Sequence, residues 1–357
     1  MIAYHSLLPP LALLTLAGAQ ALDGLWPAAG LLLRGVMLML AVLSAVHHAE
    51  VVAHRTGEPM GTLVLALAVT VIEVALILSF MLMGSSGNAT LARDTLFSAV
   101  MIITNGVVGL CLLVGGWRHK EQVFRVQGVG PALAALLALS TLSLVLPTFT
   151  TSSPEGTYTA SQLVFVALTS LVLWCAFTFF QTIRHRDYFL PEDATDNTQT
   201  HAQPPSWLRA GLSLLALLVC LVAVVGLAKQ LSPTIETTLR LWGAPQTLVG
   251  IVIALLVLMP ETLAALRAAK ANRLQTSLNL ALGSALASIG LTIPAVAVAA
   301  VWLNLPLTLG LDNKDLVLLV LTFMVGSITL AHGRTSMMQG AVHLVIFAAF
   351  LFLALVP

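Results

Sequence analysis

Long apolar runs separated by short polar segments recur along the whole chain. None of these runs alternates between apolar and polar residues, as the strands of a membrane barrel do. Each run is close to the roughly 20 residues that an α-helix needs to cross a hydrocarbon core about 30 Å thick. The pattern therefore predicts an all-α polytopic membrane protein.

Eleven runs predict eleven transmembrane helices, at residues 7–22, 27–54, 60–83, 94–116, 130–148, 160–183, 208–228, 245–266, 275–303, 314–331 and 337–356. The composition agrees, since 58% of the residues are hydrophobic and only 9% are charged. The net charge of +1 gives no reason to expect a nucleic-acid partner. The expected surroundings are a lipid bilayer, and the oligomeric state stays open.

Lys and Arg residues are concentrated in the loops on one side of the predicted bundle. Because loops rich in these residues stay in the cytoplasm, the N-terminus is predicted to be cytoplasmic. An odd number of spans then places the C-terminus outside. The first residues carry no Lys or Arg, so the first span is interpreted as a retained helix and not as a signal peptide.

A polar segment at residues 184–207 predicts a cytoplasmic linker, because it is rich in charged residues, Pro, Thr and Gln. It leaves five spans in residues 27–183 and five in residues 208–357, with one extra helix in residues 1–26. Two halves with an odd number of spans have opposite orientations in the membrane. The division predicts two inverted five-helix repeats, an architecture that recurs in transporters.

One acidic residue lies within the second span of each half, namely Glu73 and Glu261. A carboxylate at membrane depth costs about 2.5–3.5 kcal/mol on insertion scales, so a functional role is the default interpretation. The alternative is a hydrogen-bonded strut, which the occurrence of the acid in both halves disfavours. Carboxylates can exchange protons for hard cations such as Ca²⁺, Na⁺ or K⁺. Both glutamates are therefore predicted to bind the transported ion, the only metal expected.

The third spans carry matching polar stripes at intervals of four, three and four residues, which correspond to one face of an α-helix. The stripes are Ser98, Ile102, Asn105 and Gly109 in the first half and Ser277, Ala281, Ser284 and Ser288 in the second. We expect Ser98, Asn105, Ser277, Ser284 and Ser288 to contribute to ion or proton binding.

Two further oxygen atoms are candidate ligands next to the glutamates. Pro260 cannot donate to the carbonyl of Leu256, which frees that oxygen one turn before Glu261. Thr70 precedes Glu73 by three residues and offers a hydroxyl. The alternatives are an ordinary proline kink and a threonine that bonds back to its own helix.

Three segments carry a resemblance: GEPMGTLVLALAVTVIEVAL, LVLMPETLAALRAAKANRLQTSLNLALGSALASIGLTIP and GRTSMMQGAVHLVIFAAFLFL. Together they resemble the bacterial calcium/proton and sodium/proton exchangers of the calcium/cation antiporter superfamily. The resemblance implies α-repeats at about 57–110 and 243–294, with Glu73 and Glu261 at a shared ion and proton site. It further implies export of Ca²⁺, Na⁺ or K⁺ against protons by alternating access, across the bacterial inner membrane.

The chain departs from these exchangers immediately before the acids. Many relatives have Gly-Asn in a GNxxE motif, whereas this chain has Val69-Thr70 and Val257-Leu258. Two amide ligands are thereby lost. Since Ca²⁺ takes six to eight oxygen ligands, Na⁺ or K⁺ is expected to be accepted alongside it.

Four other polar residues are candidates for a proton relay. His47, Glu50 and His54 recur at three- and four-residue intervals near one end of the second span, and His343 lies within the last span. Histidine changes its charge near neutral pH, which suits such a role. The alternatives are an interfacial hydrogen-bonded cluster for the first three and an interhelical hydrogen bond for His343.

No catalytic motif or cofactor motif is present. The chain lacks HExxH, and its three cysteines, Cys111, Cys175 and Cys220, have no metal-binding spacing. An intramembrane hydrolase is therefore a weak alternative, and no cofactor is expected besides the transported ions. A passive cation channel is a second alternative, which the two titratable acids within the spans disfavour.

Overall fold

A computed structural model describes residues 2–23, 27–57, 60–82, 88–190, 205–243 and 245–356. In this part of the chain, ten helices are long and apolar enough to cross a membrane. The helix at the N-terminus contains a shorter apolar stretch, Leu7–Gly18. The prediction of an all-α polytopic membrane protein is confirmed.

The helices follow the predicted spans closely. In chain order they are α1 (Ile2–Asp23), α2 (Pro27–Thr56), α3 (Met60–Met81), α4 (Leu91–Met101), α5 (Val108–His119), α6 (Val126–Ser140), α7 (Leu146–Phe149), α8 (Ala160–Phe179), α9 (Trp207–Trp242), α10 (Thr247–Lys270), α11 (Leu274–Leu303), α12 (Asn313–Leu330) and α13 (Met337–Leu355).

Several predicted spans contain a wider π-helical turn, which the sequence pattern did not predict. These π segments are Ile102–Val107 between α4 and α5, Thr141–Val145 between α6 and α7, and Phe180–Arg184 after α8. Short 3₁₀ turns cover Asn88–Thr90 and Arg186–Phe189. In each π segment the i→i+5 hydrogen bond replaces the α-helical one, so the side chains beyond it are rotated relative to a regular helix.

Two short strands, β1 (Glu121–Val123) and β2 (Arg334–Ser336), pair antiparallel. The register sets Gln122 opposite Thr335. This ladder joins the turn after α5 to the turn before α13. Three-residue strands are too short for a periodic pattern to reveal, so the sequence did not predict them.

The described residues form two compact units. The first unit contains residues 1–88 and 200–246, and therefore α1, α2, α3 and α9. Within it α2 packs against each of the other three helices. Helices α1 and α9 approach closely where Gly226 faces Leu16, and the Gln230 amide donates to the carbonyl of Leu16 at 3.0 Å.

The second unit contains residues 89–199 and 247–357, and therefore the remaining helices and both strands. Helix α11 is its centre and packs against α4, α5, α6, α8 and α10. Helices α5 and α13 pack so closely that a Cβ atom added to Gly340 would clash with the backbone nitrogen of Leu113. Small residues let helix backbones approach in this way in membranes.

Helix α9 is longer than the span predicted at 208–228, since it continues through Pro233 to Trp242. Its candidate membrane span ends at Ile235. The end of the apolar run marks where contact with the hydrocarbon core ends. The helix continues beyond it, because the N–H and C=O groups of a helix bond to one another with or without lipid around them. The hydropathy pattern therefore underestimated this helix.

A group of side-chain amides holds the turn between α10 and α11 within the second unit. Gln122 donates to the carbonyl of Ala269 at 3.0 Å, and Gln275 accepts from the backbone nitrogen of Arg125 at 2.7 Å. Asn279 donates to the carbonyl of Phe189 at 2.7 Å. These bonds fix the helix pair that carries Glu261 and the second stripe.

The two compact units are not the two predicted repeats, because each unit includes helices from both halves of the chain. The division into inverted repeats stays a prediction from the sequence. Most of the predicted linker at 184–207, namely residues 191–204, lies outside the described residues, as does residue 357 at the C-terminus.

Candidate ion-binding site

Glu73 lies within α3 of the first unit and is only 2% exposed. The surrounding sequence, LALAVTVIEVALIL, supplies an apolar helix all round, so the carboxylate has no access to bulk solvent along its own helix. Thr70 is also buried, and its hydroxyl donates to the carbonyl of Ala66 at 2.9 Å. The donor of Thr70 is thus used by its own helix, while its oxygen can still accept or ligate.

Glu261 lies within α10 of the second unit and is partly buried. Helix α10 runs through Pro260 without ending. Because proline has no N–H group, the carbonyl of Leu256 loses its usual i+4 donor one turn before Glu261. Thr262, the next residue, donates to the carbonyl of Leu258 at 2.7 Å. The helix therefore has a carboxylate and, one turn earlier, a carbonyl that lacks its backbone i+4 donor; that this oxygen binds an ion stays a prediction.

The first stripe does not lie on a regular α-helix. Ser98 belongs to α4 and is fully buried, with its hydroxyl donating to the carbonyl of Asp94. Asn105 lies within the π segment Ile102–Val107. The predicted common face of Ser98 and Asn105 assumed α-helical intervals, and the π turn between them changes that relation.

Asn105 is fully buried and hydrogen-bonded to two other elements of the second unit. Its Nδ2 atom donates to Thr322 Oγ1 on α12 at 2.8 Å. Its Oδ1 atom lies 3.0 Å from Nδ1 of His343 on α13. The alternative interpretation of His343 as a partner in an interhelical hydrogen bond is confirmed, because the ring joins α13 to the π segment and to α12.

The second stripe lies on α11, which is continuous from Leu274 to Leu303. Ser277 is 1% exposed, makes no conventional hydrogen bond among the described residues, and lies beside the Cys111 thiol. Ser284 is partly buried and Ser288 is buried. The Cys111 thiol is thus the polar neighbour of this buried hydroxyl, and a role for Ser277 in binding an ion or water stays a prediction.

The predicted relay residues of α2 differ in their environments. His47 is partly buried, whereas Glu50 and His54 are exposed. The ring of His47 lies 5.6 Å from that of His48, which is buried and which sequence reasoning did not select. Adjacent residues on a helix point in different directions, so a three- and four-residue interval rule passes over such a neighbour.

The structure shows a buried ion pair, Arg93 and Asp94, that the sequence analysis did not select. In the second unit, Nε of Arg93 donates to Asp94 at 2.9 Å, and Thr90 donates to the same carboxylate at 3.1 Å. Arg93 also donates to the carbonyl of Gly310 and to Asp312. The sequence signal that could have indicated this ion pair is an Arg next to an Asp at the start of a predicted span. Arg93 ties the turn before α12 to the start of α4.

Tyr158 lies in the segment between α7 and α8, outside the candidate spans. Its hydroxyl donates to the carbonyl of Leu142 at 2.6 Å, and burial raises its pKa to about 12. The phenol therefore stays protonated at physiological pH.

The described residues contain no group of three or more His, Cys, Asp or Glu side chains that would hold a metal ion. The polar groups found instead are single carboxylates, hydroxyls, an amide and a released carbonyl. All of these are hard oxygen ligands, which suit Ca²⁺, Na⁺ and K⁺.

Comparison with known proteins agrees with this set of features. The family model described as "Sodium/calcium exchanger protein" matches residues 26–183 and 212–356. The y4hA protein of Sinorhizobium fredii is 51% identical over 92% of this chain and 89% of its own length. The sodium-potassium/proton antiporter ChaA of Escherichia coli is 37% identical over 90% of this chain and 87% of its own length.

The fold is similar to that of the solved structure of native YfkE, with a TM-score of 0.75 at 16% identity, covering 99% of this chain and all of that one. The members of the matched family are transporters and not enzymes, which confirms that prediction. The ten candidate membrane spans among the described residues, the acid-bearing helices and these matches lead to one conclusion. The chain belongs to the sodium/calcium exchanger protein family, within the calcium/cation antiporter superfamily.

Proposed function

We propose that this cation exchanger exports Na⁺, K⁺ or Ca²⁺ against protons by alternating access, with Glu73 and Glu261 as the carboxylates that bind both. The observation that carries the proposal is the burial of Glu73, at 2% exposure, within an apolar helix. Such a carboxylate is stable only when a proton, a cation or a polar partner compensates its charge. Glu261 supports the proposal through its place in a second apolar helix, after a released carbonyl.

The proposed ligands are oxygen atoms that the helices supply beside the acids and in the stripes. We assign the Leu256 carbonyl, the Thr70 hydroxyl and the Ser277 hydroxyl to this set, with Ser98, Asn105, Ser284 and Ser288 as further members. Protons and cations compete because one carboxylate cannot be neutralised by both at once. We keep His47, Glu50 and His54 as a proposed relay that delivers protons from one end of α2.

Ion preference follows from the number of ligands. Thr70 and Leu258 occupy the positions at which the asparagine of a GNxxE motif would add an amide oxygen. A set with fewer oxygens suits monovalent ions at least as well as Ca²⁺, which takes six to eight. ChaA of Escherichia coli is named a sodium-potassium/proton antiporter, and it is a similar protein over most of this chain. We therefore expect Na⁺ and K⁺ to be transported alongside Ca²⁺.

Conservative substitution of each glutamate tests the assignment. Glu73→Gln and Glu261→Gln keep the shape of the side chain but remove its titrating proton, so each is expected to abolish cation-dependent proton movement. The measurement uses everted membrane vesicles with an acidic interior and a pH-sensitive dye, with protein levels matched by immunoblot. Ser327→Ala is the control, since that hydroxyl donates to its own helix at Phe323. Near-normal dye response in either Gln variant would show that its glutamate is a strut.

We also propose that the N-terminus and the linker face the bacterial cytoplasm and that the C-terminus faces outside. The asymmetric distribution of Lys and Arg in the loops supports this orientation. A reporter that is active only in the cytoplasm, fused after residue 357, is expected to be inactive. An active fusion would mean that one of the eleven predicted spans does not cross the membrane.

A further inference from the structure

Four buried side chains of the second unit are hydrogen-bonded in a row. They are Thr329 and Thr322 on α12, His343 on α13 and Asn105 in the π segment, with exposures between 0% and 2%. The separations are 3.1 Å from Thr329 to His343, 3.0 Å from His343 to Asn105 and 2.8 Å from Asn105 to Thr322. The row connects three elements that are distant in sequence.

The hydrogen bond of Thr322, at one end of this row, determines which atom donates and which accepts in each bond along it. The hydroxyl of Thr322 donates to the carbonyl of Leu318 at 2.7 Å, so towards Asn105 its oxygen acts as an acceptor. The atom of Asn105 that faces Thr322 must then be the donor Nδ2. The other atom of the amide, the acceptor Oδ1, consequently faces His343.

The orientation of the Asn105 amide determines which ring nitrogen of His343 carries the hydrogen. An amide oxygen only accepts, so Nδ1 of His343 carries the hydrogen. The backbone carbonyl of Thr104 also lies near the ring and is a second acceptor. In the neutral imidazole Nε2 is then an acceptor, and the hydroxyl of Thr329 donates to it. Every member of the row is satisfied by this single arrangement.

From this geometry we propose that His343 is a positioning residue for cation exchange, which acts through Asn105. The Nδ1–H group of His343 uses one lone pair of Asn105 Oδ1 and leaves the second for a transported cation. This inference rests on the proposed function, in which Asn105 is one of the cation ligands. His343 thus fixes the orientation of Asn105 without binding the cation itself. Residues that hydrogen-bond to metal ligands commonly act in this way.

The location of Asn105 explains why such a partner is needed. A π turn lacks the i→i+4 ladder of a regular helix, and side chains within it are not oriented by the usual spacing. Helices α12 and α13 supply the orientation instead, through Thr322 and His343. The close approach of Gly109 to His343, where an added Cβ would lie 2.9 Å from the His343 Cβ, holds the ring against the π segment.

The proton position is testable without transport. In purified protein labelled with ¹⁵N-histidine, the His343 resonances, assigned with the His343→Asn variant, are expected to show a protonated Nδ1 and an unprotonated Nε2 at neutral pH. In Thr329→Val the Nε2 shift should change, because its donor is lost. A protonated Nε2 in the wild type would overturn the assignment of the row.

A double-mutant cycle tests whether His343 acts through Asn105. The measured quantity is the K⁺ concentration that gives half-maximal proton flux in proteoliposomes, with Na⁺ and Ca²⁺ assayed in parallel. His343→Leu is expected to raise it about fivefold, the effect of one hydrogen bond, with the maximal rate within about twofold. Asn105→Ala is expected to raise it at least as much, and adding His343→Leu to Asn105→Ala should change nothing further.

Controls separate the possible failures. His343→Asn, which keeps a donor near the Nδ1 position, should restore most of the affinity, and it serves in the cycle if His343→Leu does not fold. Ser327→Ala on α12 should match the wild type. Effects of His343→Leu and Asn105→Ala that multiply, or an unchanged affinity in His343→Leu, would overturn the positioning role. Absence of cation-dependent proton flux in the wild type would instead refute the proposed function, and the NMR measurement would still decide the proton position.

Discussion

The third spans of the two halves carry the same polar intervals but have different structures. The first, Leu91–His119, is interrupted by the π segment, and its Ser98 and Asn105 are fully buried and hydrogen-bonded. The second, α11, is continuous over 30 residues, and its Ser277 makes no conventional hydrogen bond among the described residues. Both spans lie in the second unit, so their difference does not come from membership of different units.

The difference shows that matched sequence intervals need not give matched chemistry. In the first span, the polar atoms are held by neighbours: Asp94 accepts from Ser98, and His343 and Thr322 bond to Asn105. In the second, the buried hydroxyl of Ser277 lies beside the Cys111 thiol and makes no other hydrogen bond among the described residues. We infer that the first span contributes an oriented amide and the second contributes a hydroxyl that a moving ion can use.

The largest effect that tests this comparison is expected from glycine substitution. In Gly109→Ala the new Cβ would lie 2.9 Å from the His343 Cβ and 3.1 Å from the Leu344 nitrogen. Such overpacking costs about 1–3 kcal/mol of unfolding free energy. Gly283→Ala on α11 meets nothing within 4 Å, and it should be neutral or stabilising by up to about 1 kcal/mol.

Unfolding of the purified variants in detergent micelles, followed by circular dichroism over a denaturant series, measures both changes. The matched pair controls for the general effect of alanine in a membrane helix. Equal stability of Gly109→Ala and Gly283→Ala would contradict the tight packing of the first span on α13.

A smaller effect with opposite signs is expected for the two serines. Ser98→Ala removes a hydrogen bond to Asp94 and should cost about 0.5–1.5 kcal/mol of unfolding free energy. Ser277→Ala removes a buried hydroxyl without a conventional bond and should leave stability equal or higher. If Ser277 is a ligand as proposed, Ser277→Ala should also raise the half-saturating cation concentration in proteoliposomes. Loss of stability without loss of affinity in Ser277→Ala would remove Ser277 from the proposed ligands.

The membrane fold was predictable because its signal is long and local. Apolar runs of the correct length must form helices in a bilayer, since only internal hydrogen bonds satisfy the backbone there. The predicted ends fail only where helix and hydrocarbon end separately, as in α9, which continues past Pro233 to Trp242. The short strands β1 and β2 depend on contacts between distant turns, which no local pattern contains.

The candidate site was predictable in its charges but not in its geometry. Glu73 and Glu261 are conspicuous because acids are costly at membrane depth. Pro260 is conspicuous because it cannot donate the backbone hydrogen bond of a regular helix. The role of His343 depends on α12, α13 and the π segment meeting, and the sequence gives no local signal for that. Arg93 was passed over for the same reason, since the carbonyl of Gly310 to which it donates is over 200 residues away.

The most direct test of the central claim is the dependence of cation affinity on pH. Purified protein in liposomes would be assayed with K⁺, Na⁺ and Ca²⁺ between about pH 6 and 9, a range in which carboxylates raised by burial can titrate. If cations and protons compete for Glu73 and Glu261, the half-saturating cation concentration falls as pH rises, by up to about tenfold per pH unit for each competing proton. The same concentration at every pH, or cation flux without proton countermovement, would contradict exchange at these glutamates.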